Sequence, residues 1–217
     1  MEAAGGKALP VIVDIRSEEL VQEAVNKAVE TFGGIDILIN NASAINLTPT
    51  EHLSMKRYDL MHSVNARGTF LATKLCLPHL KKGNNPHVLN LSPPLNLDPK
   101  WFGNHVAYTM AKYGMSMCVL GHAEEFKTYG IGVNALWPRT TIDTAAVRNL
   151  LGGVEMAEQS RKPSIIADSA AYILSREAKT CTGNFFMDDE VMAEEGILNL
   201  DHYAVNLEKD LMPDFFI

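Results

Sequence analysis

The stretch ALPVIVDIRSEELVQEAVNKAVETFGGIDILINNA, residues 8–42, switches hydrophobic period twice. Residues 8–15 are a short β-branched run of the kind buried in a parallel sheet. Ser17 stands where a helix N-cap belongs, with Glu18 and Glu19 in the first turn, where the helix dipole favours negative charge. Leu20, Val21, Ala24, Val25, Ala28 and Phe32 then recur at helical spacing, and Gly33–Gly34 stops the helix. A second apolar run, IDILINNA (35–42), follows at once. Strand, helix, strand predicts a βαβ unit with a right-handed crossover.

The alternation continues outward. Ser54 is placed to cap a long helix reaching Lys81–Lys82, GNNP (83–86) is a turn, and HVLNLS (87–92) is a third strand ending in Pro93–Pro94. A helix is expected from about Val106 to Tyr129, stopped by Gly130, then a strand IGVNALWP (131–138). Short helices around 144–151 and 164–175 precede a last apolar piece, GNFFM (183–187). The expectation is an α/β fold, a Rossmann-like doubly wound parallel sheet, in one domain over 1–217. In such folds ligands bind beyond the carboxyl ends of the strands, which directs attention to Asp14, Asn40–Ser43, Ser92–Pro94 and Pro138–Thr141.

Composition narrows the function class. Hydrophobic residues make up 47% and charged residues 21% of the 217, which excludes a disordered chain or a fibre. The net charge of −7 and the dispersed basic residues argue against a nucleic-acid partner. Cys76, Cys118 and Cys181 are far apart and odd in number, so neither a disulfide framework nor a zinc cluster is expected. The seven His show no HExxH or paired spacing, and no metal is expected. MEAAGGKALP is no secretory signal, and no apolar run reaches the roughly 18 residues of a membrane span. A soluble intracellular protein with a small-molecule or protein partner is the expectation.

Tyr108 and Lys112 lie four apart in a predicted helix and so share a face. An ammonium beside a phenol favours the phenolate, and a phenol so tuned exchanges a proton with an alcohol or carbonyl oxygen. The pair alone is weak, since an ordinary helix-surface pair has the same spacing. Its company is not ordinary: NNAS (40–43) follows the second strand, VNARG (64–68) lies in the next helix, NLS (90–92) closes the third strand, and YTMAK (108–112) carries the pair.

In order, separation and placement these four motifs resemble the short-chain dehydrogenase/reductase family, over essentially the whole chain. The resemblance implies that Tyr108 moves the proton at the substrate oxygen, that Lys112 holds the nicotinamide ribose and tunes Tyr108, and that Asn65 supports a water relay. It places Asp14, Asn41 and Ala42 on the adenosine side of an NADP or NAD site, and Pro138, Thr140 and Thr141 near nicotinamide and pyrophosphate. Blander roles compete: Asn65 bonding a backbone carbonyl, Asp14 as a turn residue, Thr140 and Thr141 as loop hydroxyls. The family's helices at 54–81 and 106–129 commonly pack across a dimer interface, implying a homo-oligomer. A narrower likeness within the family, in FGGIDILINNASAI (32–45), NLSPPLNLDPKWF (90–102) and PDFF (213–216), implies lipid metabolism in peroxisomes or mitochondria.

Three departures bear on function. The position usual for the catalytic serine is taken by Pro93, which has no side-chain donor, leaving Ser92 as the candidate. Arg139 replaces the usual glycine after Pro138, within reach of a phosphate or of solvent. The opening strand–glycine turn–helix that cradles a pyrophosphate has no counterpart, so the domain reads as lacking the first strand–helix–strand unit. Two functional readings follow: an NAD(P)-dependent oxidoreductase acting on a hydroxyl or carbonyl of a lipid-like substrate, or a truncated, non-catalytic binding module. For the sheet, the run at 8–15 either closes up against the next strand or leaves two places open.

Overall fold

The computed structural model describes residues 1–217. Four parallel strands stand side by side in chain order: β1 (Ile37–Asn40), β2 (His87–Asn90), β3 (Gly132–Trp137) and β4 (Phe185–Met187). Every residue of β2 and β3 is buried, as expected of parallel strands covered on both faces. Val88 and Val133 point to one face, where α1 (Glu18–Phe32), α3 (Gly68–Leu80) and α4 (Val106–Glu125) supply Val25, Cys76, Leu80 and Ala123. Leu89 and Leu136 point to the other, against Ile173 of α6 (Ser164–Ser175) and Val191 of α7 (Asp188–Glu194). Helices on both faces of a parallel sheet make this a Rossmann-like α/β fold.

Local chemistry accounts for the first helix. The Ser17 hydroxyl accepts the Leu20 N–H at 3.3 Å, and Gly33 ends the helix with φ 89°, a left-handed conformation that glycine adopts without a Cβ clash. The predicted helix from Ser54 is one continuous run built in three parts: α2 (Met55–His62), a π-turn at Ser63–Arg67, and α3. The run predicted at 144–151 is a second π-turn (Val147–Leu151), followed by α5 (Gly153–Glu158). The sequence reading did not anticipate α5 or α7.

The segment 8–15 corrects one expectation: it forms no strand. Ile12 is fully exposed. The sheet does not close up, and β1 keeps a free outer edge with Ile37 43% and Ile39 47% exposed. Across a cleft of about 90 Å³, Ile15 faces Leu38–Asn41 instead of pairing with them. A strand exists only through its ladder, and β-branched composition cannot supply a partner.

α4 lies close to the first π-turn. A Cβ on Gly114 would stand 2.6 Å from the Ala66 Cβ, so glycine is needed for this approach. Gly114→Ala is therefore expected to lower stability by about 1–3 kcal/mol, the usual range for overpacking. Ala66→Gly should restore most of the loss, which a urea melt of the single and double variants would read.

Candidate active site

β1, β2 and β3 end level with one another, and the turns beyond them meet the middle of α4. Tyr108 and Lys112 project there from α4, only 5% and 3% exposed. The Lys112 ammonium donates to the Leu91 carbonyl at 2.7 Å and lies 4.8 Å from the centre of the Trp137 ring. It lines a groove of about 430 Å³ whose walls include Asn41, Ser43, Leu91, Trp137, Pro138, Ile142 and Thr144. Lys112, Asn41 and Pro138 are thus brought together. Asn41 and Ala42 also border the small cleft next to Ile15. Asp14, beside Ile15, is clasped at the surface by Arg16 (2.6 Å), which holds its carboxyl down to about 2.

Asn65 is fully buried in the π-turn and spends both side-chain atoms on one neighbour. Its Nδ2 donates to the Ala44 carbonyl at 2.9 Å, and its Oδ1 accepts the Ala44 N–H at 2.7 Å. The side chain thus clasps the loop after β1. Ser92 is also fully buried, and its hydroxyl has no protein partner. Thr140 Oγ1 is likewise buried and unpartnered, whereas Thr141 shares a hydrogen bond with Ser160 at 2.8 Å and faces a different cavity. Arg139 is engaged by Asp189 (3.0 Å) and Glu190 at the start of α7, so its charge is spent within the protein.

The second cavity, about 400 Å³, is apolar. Leu47, Trp101, Val147, Leu150, Leu151 and Met156 line it, together with residues of the C-terminal segment 212–217. That segment was quoted in the sequence without a role, and it covers the site. Thr140 pairs with Pro213 in an antiparallel bridge, Trp137 Nε1–H donates to the Phe215 carbonyl at 2.9 Å, and the Phe215 and Phe216 rings lie 6.5 and 6.3 Å from the Tyr108 ring. An acidic residue between Pro213 and two phenylalanines was the available signal: a charge set in an apolar run that packs inward.

Burial governs the proton chemistry. It pushes the Tyr108 phenol up, and the nearby Asp214 carboxylate adds to the rise. Burial likewise pushes Lys112 down to about 7, with Asp214 opposing. The expectation that Lys112 lowers the Tyr108 pKa is therefore not met here, because desolvation of the phenolate outweighs the lysine.

Two outcomes follow. Asn65→Ala leaves the Ala44 N–H and carbonyl without their partner and should cost about 1–3 kcal/mol in a urea melt. For Lys112, the unfolded chain holds a proton between pH 7 and 10.5 that the folded chain has released, so folding stability rises with pH across that window. Lys112→Met should remove that part of the slope, measured as the difference between wild-type and variant melts over the same pH range.

Comparisons with known proteins agree with this arrangement. A family profile described as Enoyl-(Acyl carrier protein) reductase matches residues 1–190. Hydroxysteroid dehydrogenase-like protein 2 of Danio rerio is 59% identical over all 217 residues, which cover 52% of that protein, and its Homo sapiens counterpart is 58% identical with 51% covered. The chain thus spans about half the length of these curated relatives. A putative dehydrogenase from Xanthomonas campestris superposes with TM-score 0.96 at 52% identity, over all of this chain and 79% of that one. A short-chain dehydrogenase/reductase from Serratia marcescens superposes with TM-score 0.72 at 29% identity, over 85% of this chain and 76% of that one. With the Tyr108–Lys112 helix set against the strand ends as the fold requires, the chain belongs to the short-chain dehydrogenase/reductase family.

Proposed function

We propose that the protein is an NAD(P)-dependent oxidoreductase that interconverts a carbonyl and a hydroxyl on a lipid-like substrate. The observation that carries this reading is the placement of Tyr108 and Lys112, both buried on one face of α4, with Lys112 opening into the groove beyond the strand ends. The residues fit the nicotinamide-riboside half of the coenzyme. Lys112 keeps ammonium donors beyond the one given to Leu91, Thr140 Oγ1 is buried without a partner, and Asn41 and Pro138 wall the same groove. For the pyrophosphate the chain offers no glycine-rich turn. When bound, the coenzyme supplies or accepts the hydride.

The chain's own groups manage the proton. With its pKa pushed up, Tyr108 is a protonated phenol at neutral pH, the form that donates to a carbonyl oxygen. Lys112, when charged, stabilises the phenolate left behind. Ser92 is the remaining hydroxyl where the usual serine is replaced by Pro93. The apolar cavity behind the C-terminal segment supports a hydrocarbon-rich substrate. By resemblance the setting is peroxisomal or mitochondrial lipid metabolism. No helix is long and apolar enough to cross a membrane. A homo-oligomer is supported by the exposed apolar side chains Met110, Met117 and Leu120 on α4 and Phe70 on α3.

Pro93 and the missing glycine turn favour a second reading, a non-catalytic binding module. A thermal melt with excess NADPH or NADH separates the two. A coenzyme at a hundred times its dissociation constant adds about 2.7 kcal/mol, a visible upward shift. A melt that neither coenzyme moves would leave the binding module. Where one coenzyme does shift the melt, Tyr108→Phe should keep that shift and lose turnover at least a hundredfold; turnover that survives would remove Tyr108 from the chemistry.

A further inference from the structure

The C-terminal segment does more than cover Tyr108. Four hydrogen bonds fix it across the strand ends: Met212 N–H to the Gln159 carbonyl (2.9 Å), Thr141 N–H to the Met212 carbonyl (2.9 Å), Asp214 N–H to the Arg139 carbonyl (3.1 Å) and Trp137 Nε1–H to the Phe215 carbonyl (2.9 Å). Trp137 is the hinge of the arrangement, since the same ring lies against the Lys112 ammonium. Asp214 is thereby set in the layer between the Tyr108–Lys112 pair and the apolar cavity, whose lining it joins.

We propose that Asp214 is a positioning residue of this site, whose carboxylate holds the buried Lys112 side chain in its charged form. The proposal rests on the reading of Lys112 as a working cation. Lys112 feels one charge from the rest of the protein, that of Asp214, and Asp214 in turn feels Lys112. The other groups that bear on Asp214 are accounted for. Asp188, the first residue of α7, pushes it up; the Phe215 N–H donates to its Oδ1 at 2.6 Å; the Arg139 guanidinium is taken by Asp189 and Glu190; and Tyr108 is neutral while protonated. Burial has brought Asp214 up to about 6 and Lys112 down to about 7, so each is poised to lose its charge near neutrality, and each is held back by the other. In a water-poor layer, removing the carboxylate removes the one attraction that offsets the desolvation of the ammonium. Lys112 would then be neutral at pH 7, and Tyr108 would form its phenolate with no cation beside it.

The test is a pair of NMR titrations on the full 217-residue chain without coenzyme or substrate, following the Lys112 13Cε and Asp214 13Cγ signals from about pH 5 to pH 10. Lys112→Met and Asp214→Asn identify the two signals by their loss. In the wild-type chain each signal should show a second inflection at the other's midpoint, and two independent single-step curves would overturn the proposal. In Asp214→Asn the Lys112 midpoint should fall by at least a factor of ten in proton concentration. Because coupling is reciprocal, Lys112→Met should raise the Asp214 midpoint, which serves if Asp214→Asn does not fold. An unmoved midpoint in either folded variant also overturns it. Neither titration involves coenzyme or turnover, so the charge pair and the oxidoreductase reading stand or fall separately.

Discussion

A set of buried amides holds the site elements in place. Asn40, the last residue of β1, donates to Asn90 Oδ1 at 2.8 Å and to Thr73 Oγ1 at 3.3 Å, tying β1 to β2 and α3. Asn90 passes the connection on to the Met115 carbonyl of α4 at 3.3 Å. Further along the sheet, Asn134 donates to the Cys181 carbonyl and accepts from both nitrogens of Asn184, tying β3 to the approach of β4. A slip of one residue would leave these amides buried and unsatisfied, at about 1–3 kcal/mol each. Hydrophobic faces alone would tolerate a two-residue slip; the amides do not. The level strand ends, the groove beyond them and the height at which α4 delivers Tyr108 and Lys112 all follow from that register.

Against this rigid frame the site sets a chemical tension. A phenol, an ammonium and a carboxyl share a layer that water scarcely enters, and each is shifted toward its neutral form by burial. Packing and charge are thus opposed at one point, and Trp137 is where they meet. Its ring bears on the ammonium while its N–H anchors the segment that carries the carboxylate. An aromatic residue with a polar edge is suited to such a place, being able to satisfy an apolar wall and a carbonyl at once.

Much of the frame was legible in the sequence. Ser17 and Gly33 marked both ends of α1 by chemistry that acts within a few residues, and the four-residue spacing of Tyr108 and Lys112 was enough to place both on one face of α4. What failed was whatever depends on a distant partner. The run at 8–15 has the composition of a buried strand and no strand beside it, so Ile12 meets solvent. Asn65 could be named as a site residue, but its work as a clasp on Ala44 depends on a loop twenty-one residues away in sequence. The covering segment at 212–217 has no period at all; its role comes from Thr140, Trp137 and Tyr108, which the sequence leaves far behind it. The phenol's proton affinity was misjudged for the same reason, because adjacency along a helix is visible in a sequence and depth is not.

The π-turn at Ser63–Arg67 has a consequence for how the chain can change in length. Its wider turn puts Asn65 inside while the helix axis runs on into α3. Removing one residue there would rotate everything downstream by about 100°. Leu71, Cys76 and Leu80 would turn away from the neighbours they are buried against, even with every remaining residue unchanged. A loop such as 96–104 can grow or shrink at its surface without such a cost. Residue number, and not only residue type, is therefore fixed along 63–67, and an alignment gap falling there would mark a chain built to a different internal geometry.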